Sequence, residues 1–354
     1  MIDIPAWFWT ATIVFIVALF VFDLLVAVRR PHAVHLREAT FWSVFYVAIA
    51  LAFGGVLWAV SGSTAGTEYF AGWVVEKSLS VDNLFVFVII FARFGVPEEY
   101  QQKVLLFGIA AALALRTVFI AAGSAAISMF SWTFLIFGLV LLWTAVQLVR
   151  HRNEEPDVDD NFLVRRARGV LPMTTDFHGG RLLAHEGGRR VVTPLLLVFI
   201  AIGSTDILFA LDSIPAVFGV TSEPFIVFTA NAFALLGLRA LFFLVEGLLE
   251  RLVYLSIGLS VILAFIGVKL ILHFAHEDVS KSVPEIPTPL SLSVILGVLV
   301  IVSIASVLRV RAHPEERAHA SAVVIRAHRD EKDGGHGQAA PEAAEQRGRG
   351  SGGS

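Results

Sequence analysis

Residues 70–92 read FAGWVVEKSLSVDNLFVFVIIFA. The stretch is apolar enough, and long enough, for one helix to cross a hydrocarbon core about 30 Å thick. It nevertheless carries Glu76, Lys77 and Asp82. A charge at bilayer depth costs roughly 2.5–3.5 kcal/mol on insertion scales. These groups must therefore face other polar groups, or water, inside a helix bundle. One such segment can be the core helix of a soluble protein; a long series of them cannot, and the sequence holds a series.

Outward from 70–92, spans are expected at about 7–28, 40–60, 103–123, 130–149, 193–218, 224–246, 252–273 and 289–308, which makes nine. Of 354 residues, 56% are hydrophobic and 16% charged, against about 25% charged in a soluble domain. The fold class that follows is an all-α polytopic membrane protein. The N-terminus lacks the basic region of a signal peptide, so its apolar run reads as a true span. There is no cysteine, which removes disulfides, thiolate metal sites and thiol nucleophiles. A net charge of −3 points to no nucleic-acid partner.

Basic residues test the span count. Arg29, Arg30 and Arg37 follow span one, and Arg93 and Lys103 bracket the loop after span three. Arg150, Arg152, Arg165, Arg166, Arg168, Arg181, Arg189 and Arg190 lie between spans five and six, Arg251 between seven and eight, and Arg309, Arg311 and Arg317 after nine. Loops near 61–69, 124–129 and 219–223 have neither Lys nor Arg, and Lys281 is alone on that side among Glu277, Asp278 and Glu285. Positive charge marks every second loop, which places the N-terminus outside and the C-terminus in the cytoplasm of a cell (inner or plasma) membrane protein. The organisation is then a membrane half over 1–149, a cytoplasmic loop over 150–192 suited to docking a cytoplasmic partner, a second membrane half over 193–309, and a tail over 310–354 whose composition predicts disorder.

Asp23, Glu76, Lys77, Asp82, Arg116, Asp206, Asp212, Arg239 and Lys269 all fall within spans. Five acids against four bases also suit a purely structural ion-pair network. The acids, however, have a pattern. Span three carries Glu76, then Asp82 and Asn83; span six carries Asp206, then Asp212 and Ser213. The next span in each case holds one arginine, Arg116 or Arg239. Spans three to five and six to eight thus read as a probable inverted repeat, an arrangement that places secondary-transporter sites at the repeat interface near the midplane. Acids six apart lie about 120° apart around a continuous helix and ~9 Å apart along it. Either the two acids of a span serve different sites, or the helix is broken; Pro215, close after Asp212, offers a place for a break.

The candidate metal ligands are Glu76, Asp82, Asn83, Asp206, Asp212 and Ser213. An oxygen-only set without nearby His or Cys suits Mg²⁺, Ca²⁺ or Mn²⁺ rather than copper(I) or a typical zinc site. Arg116, Arg239, Lys77 and Asn231 are candidate counter-charge or gating groups. No P-loop, G-x-S-x-G or H-E-x-x-H is present, so the reading is a non-enzyme without a tightly bound cofactor. Gly108, Ala112 and the small residues around Gly123 read as helix-packing positions.

Glu76-Lys-Ser-Leu-Ser-Val-Asp-Asn-Leu-Phe-Val-Phe87, Phe209-Ala-Leu-Asp-Ser-Ile-Pro-Ala216, Gly237-Leu-Arg-Ala-Leu241 and Ile266-Gly-Val-Lys269 strongly resemble the TerC family of membrane proteins, which includes Alx-type manganese exporters. The resemblance covers roughly 7–309. It implies a bacterial inner-membrane protein that moves Mn²⁺, or a related divalent cation, out of the cytoplasm. Some members are linked instead to tellurite resistance and envelope stress, which implies a membrane scaffold with structural ion pairs as the alternative. By resemblance, the family's intramembrane acids correspond to Glu76, Asp82, Asp206 and Asp212, with Asn83 and Asn231 as polar neighbours. Many relatives have a Glu where this chain has Gly203, so ion choice or stoichiometry is expected to differ here. Lipid, a divalent cation and exchanged protons are the expected partners.

Overall fold

The computed structural model describes residues 5–29, 36–150, 165–166, 172, 174, 177–186, 189–246 and 254–312. Arg251, the acidic part of the 150–192 loop and the 313–354 tail lie outside the described residues.

Helix α1 is Ala6–Arg29, α2 Leu36–Arg93, α3 Glu98–Met129 and α4 Thr133–Arg150. A hairpin of β1, Leu183–Glu186, and β2, Arg189–Val192, precedes α5, Pro194–Phe218. Then come α6, Pro224–Leu235, α7, Leu238–Glu246, α8, Leu255–Asp278, and α9, Thr288–Ala312.

Seven of these helices are long and apolar enough to cross a membrane, and α6 with α7, bent by 43° at their break, pass the same test together as a broken span or a re-entrant pair. A further crossing comes from α2. Its 58 residues would run ~87 Å if straight. Gly62 breaks it, with φ 89° and ψ 173°, a conformation open essentially to glycine alone. The two arms then fold back on each other. Tyr69 donates its hydroxyl to the Ala50 carbonyl at 3.1 Å, and the Phe53 and Tyr69 rings lie 5.3 Å apart. In a straight helix those rings would be ~24 Å apart. A Cβ on Gly54 would meet Phe70 at 2.5 Å, and one on Gly66 would meet Trp58 at 2.7 Å, so both glycines let the arms close. Spans 40–60 and 70–92 are therefore the two arms of a helical hairpin.

Apolar side chains face both ways, as a bilayer requires. Val14, Phe41, Trp143, Leu208 and Ile301 are exposed, where lipid rather than water would cover them. The inward faces form the core. Leu84, Phe87, Ile90 and Phe91 of α2 pack with Leu105 and Ile109 of α3, Val198 and Ile202 of α5, and Phe242 of α7. Helices α4 and α8 touch at their backbones: a Cβ on Gly138 would lie 2.8 Å from the Gly267 carbonyl oxygen, and one on Gly267 2.9 Å from that of Gly138. Gly108 and Gly123 are packing positions as expected, each leaving 3.0 Å from an added Cβ to Ile202 or Phe218.

Two details differ from the sequence expectations. Helix α5 runs unbroken through Pro215, which sits in its last turn, where little of the helix follows. The break falls instead in span seven, at Leu236 and Gly237, the latter with φ 79°. In addition, the described part of the 150–192 loop contains the antiparallel β1–β2 hairpin, pairing Leu183 with Val192 and Glu186 with Arg189. Lys103 Nζ ties this region to α3 by donating to the Gly180 carbonyl at 2.9 Å.

Candidate functional site

Four helices meet around one guanidinium. The second arm of α2 contributes Glu76, α3 Arg116, α5 Asp206 and Ser213, and α6 Asn231. On α5, seven residues is nearly two full turns, so Asp206 and Ser213 share a face. Arg116 and Glu76 are fully buried, as are Ser213 and Asn231, and Asp206 is 4% exposed.

Arg116 Nη1 donates to the Glu76 carboxylate, to Ser213 Oγ at 3.1 Å and to Asn231 Oδ1 at 2.9 Å. Its Nη2 and Nε reach Asp206 Oδ1 and Oδ2 at 3.1 and 3.4 Å, a two-pronged contact that fixes the guanidinium plane. Asn231 Nδ2 donates to the other Glu76 oxygen at 3.3 Å. Asn231 thus bridges arginine and carboxylate, its amide oxygen accepting and its amide nitrogen donating. Two carboxylates share one guanidinium, so this knot carries a formal charge of −1.

The second acid of each helix lies elsewhere. Since α5 is continuous, Asp212 is ~9 Å further along and ~120° around from Asp206. It is half-buried and lines a cavity of about 750 Å³ between α3, α4 and α5, with Thr144 and Gln147 opposite and otherwise apolar walls. Asp82, also half-buried, lies beside Ser256 of α8. Helices α3 and α4 are one pass each, so α5 runs antiparallel to the second arm of α2. Asp82 and Asp212 are consequently displaced from the Arg116 knot toward opposite faces of the membrane. Asn83 is buried near Asp82 rather than in the knot.

Lys77, next to Glu76 on α2, makes its hydrogen bond outside the knot. Its Nζ donates to the Ala234 carbonyl at 3.0 Å. That carbonyl lies in the last turn of α6, where the break at Gly237 removes its helical partner and the helix dipole is negative. Arg239 sits in a second cluster: Nη2 and Nε hold Asp23 at 2.7 and 3.3 Å, and Nη1 donates to Gln102 Oε1 at 3.2 Å. This cluster joins α7, α1 and α3. Arg116 and Arg239 therefore do not make equivalent contacts. Gln102 escaped the sequence reading; an amide beside Gln101 at the start of a span was its only signal.

Among the described residues, no three His, Asp or Glu side chains are gathered as a preformed metal site. The centre shows why: Arg116 fills the space between Glu76 and Asp206. Displacing it would leave two carboxylates, a hydroxyl and an amide oxygen facing one another, a set suited to a hard divalent cation.

The model of the integral membrane protein TerC family matches residues 61–313. An uncharacterized membrane protein of Mycobacterium tuberculosis is 48% identical over 310 residues, covering 84% of this chain and 78% of its own length. One of Myxococcus xanthus is 44% identical over 315 residues, covering 89% and 96%. A protein of Escherichia coli K12, named as a candidate membrane-bound redox modulator, Alx, is 39% identical over 319 residues, covering 87% and 97%. No solved structure matches the chain.

Proposed function

The chain belongs to the TerC family of integral membrane proteins, and from that premise we propose that it is a secondary transporter that exports Mn²⁺, or a related divalent cation, from the cytoplasm in exchange for protons. The observation that carries this reading is the meeting of Glu76 and Asp206, from helices of opposite direction, on the single guanidinium of Arg116. Arg116 acts as a tethered stand-in for the cation. It neutralises the centre when no metal is there and swings aside when the metal arrives. The cation passes from Asp82 to Glu76 and Asp206 and then to Asp212, each step ~9 Å along a helix. Protons neutralise the carboxylates that the metal leaves.

The name of the Escherichia coli relative concerns redox modulation. This chain has no cysteine and only three methionines, so a redox effect cannot run through thiols of its own. Moving a redox-active cation would produce one, which favours Mn²⁺ over Mg²⁺ or Ca²⁺. Counting basic loops, the N-terminus is outside and the C-terminus in the cytoplasm of the inner membrane.

The test is Mn²⁺ flux into liposomes that hold the purified full-length protein, driven by a proton gradient. Native protein should carry Mn²⁺, while Asp206→Asn and Asp212→Asn should not, at matched amounts of folded protein. Unchanged flux in Asp212→Asn rules out its role. Should both variants behave as native protein while deletion of 150–192 abolishes function in cells, a scaffold with structural ion pairs is the better account.

A further inference from the structure

A second cavity, of about 350 Å³, opens on the face whose loops lack arginine. Its walls include Glu68 of α2, Lys269 and His273 of α8, Thr221 in the α5–α6 loop, and Glu285 and Thr288 at the entry to α9. Thr221 Oγ1 donates to Glu68 Oε2 at 2.5 Å, and His273 Nδ1 lies 2.8 Å from Glu285 Oε1. Glu68, Lys269, His273 and Glu285 make this a polar cavity, in contrast to the apolar groove at Asp212. None of its charged residues belongs to the Arg116 knot.

Two features connect the cavity to the route above. The first is position. Phe218 and Phe134 line it, while Phe137, Ile214 and Pro215 line the groove holding Asp212. The Phe137 and Phe218 rings, one lining each space, lie 6.2 Å apart. The second is size. At about 30 Å³ per water, a divalent cation with six waters needs roughly 200 Å³. The cavity holds that, while the side chains are too dispersed to strip the shell: no three His, Asp or Glu converge among the described residues. Contact through water suits a cation that is leaving rather than one being held, and Mg²⁺-like ions keep their waters readily.

We propose that this cavity is a vestibule for a hydrated divalent cation at the outer end of the transport route, with Glu68 and Glu285 as its attracting groups and the Phe137–Phe218 pair as the partition that separates it from Asp212. The proposal rests on the transport reading above. Lys269 shares the space with both carboxylates, of which Glu68 accepts from Thr221 and Glu285 is paired with His273. Net negative charge on the surrounding surface, from Glu223, Glu277 and Asp278 against Lys281, holds a cation near the mouth.

The natural absence of cysteine permits a direct test in the full-length protein. Thr288→Cys places one thiol in the vestibule and Ile214→Cys places one in the Asp212 groove. A membrane-impermeant, charged thiol reagent is applied to the outside of intact cells, with and without Mn²⁺. Thr288→Cys should react, and Mn²⁺ filling four-fifths of the sites should slow it about fivefold. Adding Glu68→Gln should remove the protection. Ile214→Cys should react only when combined with Phe218→Ala. Fluorescence-detected gel filtration of each variant confirms folded protein at matched levels. A Thr288→Cys thiol that is unreactive from outside, or reactive without Mn²⁺ protection while Mn²⁺ flux persists, overturns the vestibule and leaves the transport reading standing. Protection without flux retains the vestibule and overturns the transport reading. Equal reaction of Ile214→Cys with and without Phe218→Ala overturns the partition.

Discussion

Arg116→Met is the most informative single change. Methionine keeps much of the length and apolar volume of the arginine stem but removes all five hydrogen bonds to Glu76, Asp206, Ser213 and Asn231. Two buried carboxylates then face each other without their shared cation. Removing one partner of a buried ion pair costs about 3–5 kcal/mol, because the remaining charge is left without compensation. We predict a loss of that size in the SDS-induced unfolding of the purified protein, followed by tryptophan fluorescence. The triple variant Arg116→Met, Glu76→Gln, Asp206→Asn should recover most of the loss, since its groups are neutral and able to hydrogen-bond one another. The single variant should also respond to metal. With the stand-in cation gone, Mn²⁺ at a hundred times its dissociation constant should restore about 2.7 kcal/mol, and a monovalent cation should restore little. A loss below about 1 kcal/mol, the range of an exposed pair, would refute the buried knot. A full loss that no divalent cation relieves would refute the idea that Arg116 stands where the metal binds.

Other substitutions separate backbone geometry from packing and from capping. Gly62→Ala has open space around the new methyl group but a backbone that alanine disfavours, so it should cost about 1–3 kcal/mol in the same unfolding assay through conformation alone. Gly138→Ala drives a methyl into the Gly267 carbonyl and should cost about 1–3 kcal/mol, whereas Gly297→Ala, with nothing within 4 Å, should stay within ~0.5 kcal/mol. Lys77→Met strands the Ala234 carbonyl at the end of α6 and should cost about 1–3 kcal/mol; equal stability would show that another group caps it.

The crossings were legible because each needs a long apolar run and because arginine alternates between loops. The centre was legible in part. Glu76, Asp206, Ser213 and Arg116 stood out since a charge inside a span needs a partner, and the seven-residue spacing put Asp206 and Ser213 on one face. Which partner each charge takes was not legible. Arg116 and Arg239 sit in similar local sequence, yet one meets Glu76 and Asp206 and the other Asp23 and Gln102. That choice depends on which helices cross at which depth, information carried by the whole bundle. The break in span seven was hidden for a related reason. Pro215 gives a strong local signal, but it stands in the last turn of α5, so a kink there would redirect little of the helix. Gly237 gives a weak signal and takes the break because Tyr46 packs where a Cβ would be, 2.6 Å away, and its φ of 79° suits glycine. The β1–β2 hairpin is too short for alternation to register against the surrounding loop.

The central claim is that the buried carboxylates move a divalent cation outward. Its most direct test is total cellular manganese, with magnesium, calcium and iron as controls, in manganese-loaded cells that lack their own exporter. Cells would carry the native protein, Asp206→Asn or Asp212→Asn at equal membrane levels, or no protein. The account predicts selective loss of manganese with the native protein alone. Equal manganese in all four strains would contradict it.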